Sequence, residues 1–484
     1  MLVLLVVVAE VAAGVHHPGH SWGDDFALYL RQAQGLVDGN LHQVIRDARF
    51  GVIASGKPDF SPTIYPWGFP LMLAPFVWRW GIDYVQLKLV MVGILMAYVW
   101  VYHRVLLRRA HAVVAFGVVA SVGTTMVYLQ HTDYLLSELP YMLASVVALW
   151  CLDRARNGKR LHQATTSQLV WLGLAALYVF NTRREGIAIL PAMAIAQFID
   201  LRGFWRNADW RHLGRRLSVP WVTFAGGMVA MQLLLPNALR QGYDKSGLSQ
   251  TWKKFTGPWH RDFAAELGWN KLHGTMLLIV FIVVMIGMVL ACVRAPGLNL
   301  PIAVFAVVSM LVVGTIPAVS PRYLMSITPF AVYFGAQAFA LLPVPKRAGV
   351  WVSAVVLGLF VLHHSTLFPK AIRATDATNR QMAVAEGPES AWVKPVWNAV
   401  EKFTHRDDVV GFWRSRLMTL YTERPSIQTY SVEVMSHTAD YYVMRKEWTF
   451  FQPLVSDTVA DEMGWVKVWE DEHWVLWQVR QPKT

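Results

Sequence analysis

Eleven apolar stretches dominate this sequence. They fall at about residues 1 to 15, 82 to 106, 112 to 130, 134 to 152, 167 to 182, 185 to 200, 217 to 236, 274 to 293, 298 to 318, 323 to 342 and 347 to 366. A helix needs roughly 20 apolar residues to cross about 30 Å of hydrocarbon. The runs therefore predict an α-helical polytopic membrane protein of about eleven transmembrane helices. Composition points the same way, because only 16% of residues are charged and 55% are apolar, against roughly a quarter charged in a soluble domain. The first run resembles a signal peptide. It lacks a basic leading segment, and Ala12-Ala13-Gly14 is a weak cleavage site, so it reads as a retained span.

The formal net charge of +12 raises nucleic acid as a partner, but the basic residues lie in short clusters between apolar runs. With a cytoplasmic N-terminus the inner loops carry Arg104/Arg108/Arg109, Arg154/Arg156/Lys159/Arg160, Arg202/Arg206/Arg211/Arg215/Arg216, Arg294 and Lys346/Arg347. They hold only three acids, Asp153, Asp200 and Asp209. That is the bias of the positive-inside rule, so the basicity reports topology and no nucleic acid is implied. Trp78, Trp80, Trp100 and Trp221 stand near run ends, where an amphipathic ring suits the headgroup layer. Cys151 and Cys292 form no disulfide framework.

This topology leaves a first outer loop of residues 16–81, a second at 237–273 and a polar tail. The chain divides into a membrane domain, 1–368, and an extracytoplasmic domain, 369–484. In the first loop Phe26 to Val37 has the pattern of an amphipathic helix. The run from Tyr65 to Phe76 is too short and too rich in proline to span, and reads as interfacial. In the tail, runs at 409–412, 441–444 and 474–479 read as strands and 391–403 as a helix, giving a small α/β or α+β domain.

The ionisable residues at membrane boundaries gather on the outer side. They are Asp24/Asp25, His131/Asp133/Glu138, Arg183/Arg184/Glu185, Tyr243/Lys245 and Arg322/Tyr323. An ionisable group near hydrocarbon is costly, at least about 2.5 kcal/mol at a helix centre, and persists where it faces a cavity or a partner. Asp24 or Asp25 could take the proton of an acceptor hydroxyl, or cap a helix N-terminus. Arg183, Arg184 and Arg322, with Lys245 as an auxiliary, could hold the oxygens of a phosphate, or snorkel to the interface. Asp133 and Glu138 could orient an acceptor, hold a divalent cation with Asp25, or cap the fourth span. His16, His17, His20 and His131 lack a regular ligand spacing. Walker loops, dinucleotide fingerprints, zincin motifs and nucleophile elbows are missing from the sequence, which removes support for ATP-driven or serine-hydrolase chemistry.

Three segments carry a resemblance. They are Gly23-Asp24-Asp25-Phe26-Ala27-Leu28-Tyr29-Leu30 with Ala33 and Gly39, then Tyr65-Pro66-Trp67-Gly68-Phe69-Pro70-Leu71, then Ser137-Glu138-Leu139-Pro140. Arg183-Arg184-Glu185-Gly186 and Pro321-Arg322-Tyr323-Leu324 look like later motifs of the same group. Together they resemble the GT-C superfamily of polyprenyl-phosphate-sugar glycosyltransferases, which includes protein O-mannosyltransferases and the lipid A aminoarabinose transferase. The family pattern has Asp-Glu with a tyrosine four residues after the aspartate. Tyr29 sets Asp25 in that register, with Phe26 where the glutamate would stand.

The resemblance implies an inverting sugar transfer from a polyprenyl-phosphate donor to a lipid, glycan or protein acceptor. It takes place at the periplasmic face of a bacterial inner membrane. Asp25 is then the base, Asp24 its alternate, and Arg183, Arg184, Arg322 and Lys245 the donor-phosphate ligands. Tyr65, Asp133, Glu138, Tyr323 and His131 are auxiliary or acceptor-side groups. No cofactor is required by the sequence; a divalent cation is possible, although Phe26 in place of the glutamate argues against a metal-assisted version. The runner-up is a secondary transporter or flippase of a lipid-linked or anionic substrate, whose sites tend to lie at the midplane within inverted repeats. A third reading is an O-antigen ligase or polymerase using a diphosphate carrier; the acidic pair in the first loop argues against it.

Overall fold

The computed structural model describes residues 1–55, 62–156, 160–202, 210–236, 274–315, 321–341, 345–382, 384, 386–447 and 452–479. The first eleven helices are α1 (Leu2–Gly14), α2 (Asp25–Asp38), α3 (Leu41–Ile53), α4 (Gly68–Trp80), α5 (Tyr84–Leu106), α6 (Ala112–Thr124), α7 (Met126–His131), α8 (Glu138–Arg156), α9 (Thr166–Thr182), α10 (Ile189–Leu201) and α11 (Trp210–Leu234). Apolar helices Gly274–Arg294, Pro296–Gly314, Thr328–Ala340 and Lys346–Ser365 follow. Among the described residues four helical stretches are long and apolar enough to cross a membrane: Tyr84–Leu106, Leu213–Leu234, Pro296–Gly314 and Arg347–Gln381.

Several expected spans are shorter or broken. The run 112–130 is split at Thr125, whose extended backbone separates α6 from α7. The runs 185–200 and 323–342 each begin as a 3₁₀ turn, Arg184–Ala188 and Pro321–Leu324, before 13-residue helices. In both, charged residues occupy the turn that a continuous helix would have buried in hydrocarbon. Unwinding there lets the backbone deliver an arginine side chain inward instead.

The bundle packs α5 on α8, α8 on α9 and α9 on α11, with helix Gly274–Arg294 on Thr328–Ala340. Its two ends are electrically different. Arg109 bonds both oxygens of Asp153, at 2.5 and 2.7 Å, and Arg156 bonds Asp200 at 2.6 and 3.2 Å. Both pairs join one helix to a neighbour. Along α8 the 18 steps from Glu138 to Arg156 amount to about 27 Å, so these pairs stand at the opposite end of the bundle from Glu138.

The first loop forms the amphipathic helix expected at 26–37, now α2, and adds α3. The proline-containing segment becomes α4, with Pro75 inside it. The tail carries a five-stranded sheet in the order β2-β1-β3-β5-β4, built from β1 (Val410–Gly411), β2 (Ser426–Ile427), β3 (Tyr441–Arg445), β4 (Val466–Glu470) and β5 (Trp474–Gln478). β1 is parallel to β2 and β3, and β5 is antiparallel to β3 and β4. The strands β1, β3 and β5 and helix Lys394–Phe403 match the sequence reading. β2 and β4 escape it: the first is two residues long, and the second exposes most of its residues and so carries no apolar run.

This sheet domain sits on the first loop. Helix Ser415–Thr422 packs against α2 and α3, the Gln428 amide donates to Ser55 Oγ at 2.9 Å, and Trp22 lies 4.8 Å from Trp413, ring centre to ring centre. Tyr84 on α5 shares a 2.8 Å hydroxyl contact with Tyr421.

Candidate active site

Asp25 is the first residue of α2 and Asp24 its N-cap, yet the Asp24 side chain makes no capping hydrogen bond. The acids are therefore not spent on the helix end. The Asp25 carboxylate accepts from the Tyr65 hydroxyl at 2.5 Å through Oδ1 and from Arg322 Nη2 at 2.9 Å through Oδ2. Tyr65 and Arg322 stand 40 and 297 positions away in the sequence.

Arg322 is shared. Its Nε lies 3.5 Å from Glu138 Oε1, the oxygen that also meets Arg183 Nη1 at 2.8 Å. Arg183 in turn donates through Nη2 to Glu185 at 2.9 Å and through Nη1 to Ser137 Oγ at 3.2 Å. His131 Nε2 stands 3.5 Å from the other Glu138 oxygen. Both guanidinium groups lie over the Tyr323 ring, at 5.3 and 5.4 Å, where the quadrupole of the ring favours a cation. Glu138, Tyr141, Arg183, Glu185, Arg322, Tyr323 and Ser326 line a narrow, closely packed cleft.

Two close approaches position this cluster. Arg183 is the extended residue that ends α9. Behind it Gly68 rests on the last turn of that helix, where a Cβ would come within 2.5 Å of Thr182 Oγ1 and 2.7 Å of the Asn181 carbonyl. At Gly186 a Cβ would meet the Val179 carbonyl at 2.6 Å. Glycine at both places lets α4 and the 3₁₀ turn close on α9, which fixes Tyr65 and Arg183 relative to one another.

Electrostatics separates the two aspartates. Burial pushes the Asp25 carboxyl up, but Arg322, then Arg416 and the Tyr65 hydroxyl, outweigh it and hold the group below the usual carboxylate range. Burial pushes Asp24 up, against Arg416 and Arg414, and its net direction is upward. Asp25 is the one that stays an ionised acceptor beside the cleft.

Arg416 is the residue sequence reading missed. It comes from helix Ser415–Thr422 of the sheet domain, where the sequence reading names no site residue, and is buried. Its Nη1 donates to the Tyr65 hydroxyl at 3.0 Å and stands 3.7 Å from Asp25, and its Nε stands 3.7 Å from Asp24. No motif marks it in the sequence. Its only local signal is a pair of arginines, Arg414 and Arg416, flanking Ser415 at the start of a short amphipathic helix.

Other expected members lie elsewhere. Arg184 points to the Phe180 ring at 4.8 Å and is not among the residues lining the cleft. Lys245 and Tyr243 fall outside the described residues. Asp133 does not meet Asp25: it joins buried Lys88 at 2.5 Å and His17 at 2.8 Å. Burial pushes Asp133 up, and His17 and Lys88 bring it below its ordinary value. His16 donates to or accepts from Thr132 at 2.9 Å, and His20 accepts from the Leu135 amide at 3.2 Å. Burial lowers both histidines to about 4, so they serve as neutral braces between the first loop and the start of the fourth expected span. The cation set raised from sequence, Asp25 with Asp133 or Glu138, does not assemble. Among the described residues no three His, Cys, Asp or Glu side chains gather as metal ligands. Arg322 bridges Asp25 and Glu138 instead.

The structure thus combines a bundle of apolar helices, an amphipathic first loop and a small sheet domain, with acids and arginines from distant segments meeting at one end. Among solved structures, ArnT from Cupriavidus metallidurans bound to undecaprenyl phosphate matches 100% of this chain and 99% of its own length, with a TM-score of 0.57 at 12% identity. The Archaeoglobus fulgidus oligosaccharyltransferase in complex with zinc and sulfate matches 91% of this chain and 68% of its own, with a TM-score of 0.56 at 10% identity. AglB from the same organism, in complex with an inhibitory peptide and a dolichol-phosphate, gives 92%, 69% and 0.54 at 11% identity. No family model and no curated protein sequence matches. At these identities the likeness is one of fold alone.

Proposed function

We propose that this chain is a membrane glycosyltransferase that moves a sugar from a polyprenyl-phosphate carrier to a hydroxyl of a lipid, glycan or protein, with inversion at the anomeric carbon. The observation that carries the reading is the 2.9 Å contact between Asp25 and Arg322, with Glu138 and Arg183 continuing the cluster. In this reading Asp25 is the base, and its arginine neighbours are cations suited to a departing phosphate. Lipid phosphates bound to ArnT and AglB support the donor class.

In this reading the acceptor hydroxyl gives its proton to Asp25. A carboxylate has roughly four acceptor directions, and Tyr65 and Arg322 use two at hydrogen-bond distance. The acceptor oxygen forms its bond to the anomeric carbon from the face opposite the phosphate. The bond from that carbon to the phosphate oxygen breaks, and its electron pair leaves with the lipid phosphate. Arg322 and Arg183 meet the growing charge, and preorganised donors of this kind contribute roughly 2.7–4 kcal/mol each. Lys245 and Arg184 are auxiliaries for the same phosphate. Glu138, Tyr323 and His131 hold the arginines in place, and Asp133 braces the first loop.

The same proposal includes eleven spans, a cytoplasmic N-terminus and a division into 1–368 and 369–484. The site and sheet domain face the periplasm of a bacterial inner membrane. The bias of basic residues toward one set of loops supports that orientation.

Asp25→Asn is the direct test, because asparagine keeps the shape and removes the base. Transfer from radiolabelled polyprenyl-phosphate sugars should fall by about 10²–10⁴-fold while the protein elutes and unfolds as wild type does. Activity within tenfold of wild type removes Asp25 from the mechanism. Movement of the lipid-linked sugar across liposomes without any transfer would favour the transporter reading.

A further inference from the structure

Arg416 and the sheet domain have a part in the site that the proposed chemistry does not yet use. Two guanidinium groups pair with the first-loop acids, Arg322 from the helical bundle and Arg416 from the tail, and Arg414 of the tail adds its charge near Asp24. Arg416 is buried, lies over the Tyr65 ring at 4.9 Å, and spends Nη1 on the hydroxyl that itself donates to Asp25. Its Nη2 donates to the Pro62 carbonyl at 2.7 Å, just upstream of Tyr65. One side chain therefore grips both the tyrosine and the strand of loop that carries it.

We propose that Arg416 is a positioning residue through which docking of the sheet domain completes the site. It orients Tyr65 and keeps Asp25 ionised, so the membrane domain becomes competent only with the tail seated. The inference rests on the reading of Asp25 as the base. Around Asp25 the charged and titratable groups are Asp24 on its own segment, Tyr65 from the loop before α4, Arg322 from the 3₁₀ turn and Arg416 from the tail. Glu138, Arg183 and Tyr29 stand one contact further away. Arg416 is the member of this set that comes from outside the bundle.

An arginine is suited to the task because its planar fork can bond two acceptors while its face stacks on a ring. Lysine keeps the charge and loses the fork. The two properties can therefore be separated in full-length protein.

Three proteins are compared in detergent: wild type, Arg416→Gln and Arg416→Lys. Transfer from a polyprenyl-phosphate sugar is measured from acid to neutral pH, and thermal unfolding is followed over the same range. An opposite charge within about 4–6 Å lowers a carboxyl by about one to three pH units. Arg416→Gln should thus move the acid limb of the rate profile upward by about one pH unit. It should also move the acid loss of thermal stability in the same direction. Arg416→Lys should leave the acid limb in place and lower kcat by about tenfold, with KM for the donor nearly unchanged.

A Gln variant with a lowered rate but the wild-type acid limb overturns the proposal, since a merely structural role predicts that result. If the Gln variant fails to fold, the Lys variant decides: an unshifted limb with reduced kcat supports the proposal, and full activity or a shifted limb overturns it. The unfolding measurement needs no substrate. Absence of sugar transfer in wild type would therefore count against the glycosyltransferase reading, while the unfolding curves still judge the coupling of Arg416 to Asp25.

Discussion

Replacing Glu138 by glutamine separates two consequences that an ordinary loss-of-contact argument would merge. The Glu138 side chain is 5% exposed and its Oε1 serves Arg183 at 2.8 Å and Arg322 at 3.5 Å. Removing one partner of a buried ion pair costs roughly 3–5 kcal/mol. Each arginine here keeps another carboxylate, Glu185 for Arg183 and Asp25 for Arg322, both at 2.9 Å. Glutamine also keeps a carbonyl acceptor. The expected loss of stability is therefore smaller, about 2 kcal/mol.

Donor binding should move the other way. A phosphate seated on Arg322 stands roughly 6 Å from Glu138, where two like charges repel by roughly 3 kcal/mol at an effective dielectric of about 20. Taking that charge away should tighten polyprenyl-phosphate binding by about a hundredfold. Product release then slows, so KM and kcat fall together. The assay is thermal unfolding in detergent with and without polyprenyl phosphate, alongside a direct binding titration. Saturating lipid at about 100 times Kd restores roughly 2.7 kcal/mol, enough to cancel the loss. Weaker lipid binding in Glu138→Gln, or unchanged stability, would refute the view that Glu138 is the anion the two arginines share while waiting for phosphate.

The remaining predictions concern pH and packing. Asp25 is held below its ordinary value by Arg322, Arg416 and Tyr65 against the effect of burial, so its stabilising contribution is complete above the unfolded carboxylate range and is lost as pH falls through the folded value. Transfer should accordingly stay flat through neutral pH and decline only on the acid side of the usual carboxylate range. An Asp25-dependent decline beginning near pH 7 would contradict the geometry. Gly68→Ala should cost about 1–3 kcal/mol through overpacking against Thr182 and should lower kcat by shifting α4, with Tyr65 before it, relative to the end of α9 that carries Arg183. A variant as stable and active as wild type would show that α4 does not need this close approach.

Much of the architecture was legible in the sequence because its cause is local. Runs of apolar residues declare helices that solvent will not cover, and clusters of basic residues mark the loops between them. The continuous apolar runs of β3 and β5 and the amphipathic pattern of α2 are likewise written in consecutive residues. Asp25, Arg183 and Arg322 drew notice for the same reason: each is a charge beside hydrocarbon, a local anomaly. The broken helices were harder to see, since the decision to unwind at Arg183 and Pro321 depends on what a distant carboxylate offers the arginine.

Tertiary structure alone decided who meets whom. Asp133 and Asp25 look equivalent as outer acids, yet the buried amine of Lys88 claims the first and Arg322 the second. Arg416 was invisible, because an arginine on a short amphipathic helix of the sheet domain breaks no local rule. It acquires meaning only when that helix packs on α2 and brings the guanidinium within 3.0 Å of Tyr65. Hydropathy is a sum over neighbours in the chain, whereas an ion pair depends on distance in space, and only folding brings residues 25, 322 and 416 to the same place.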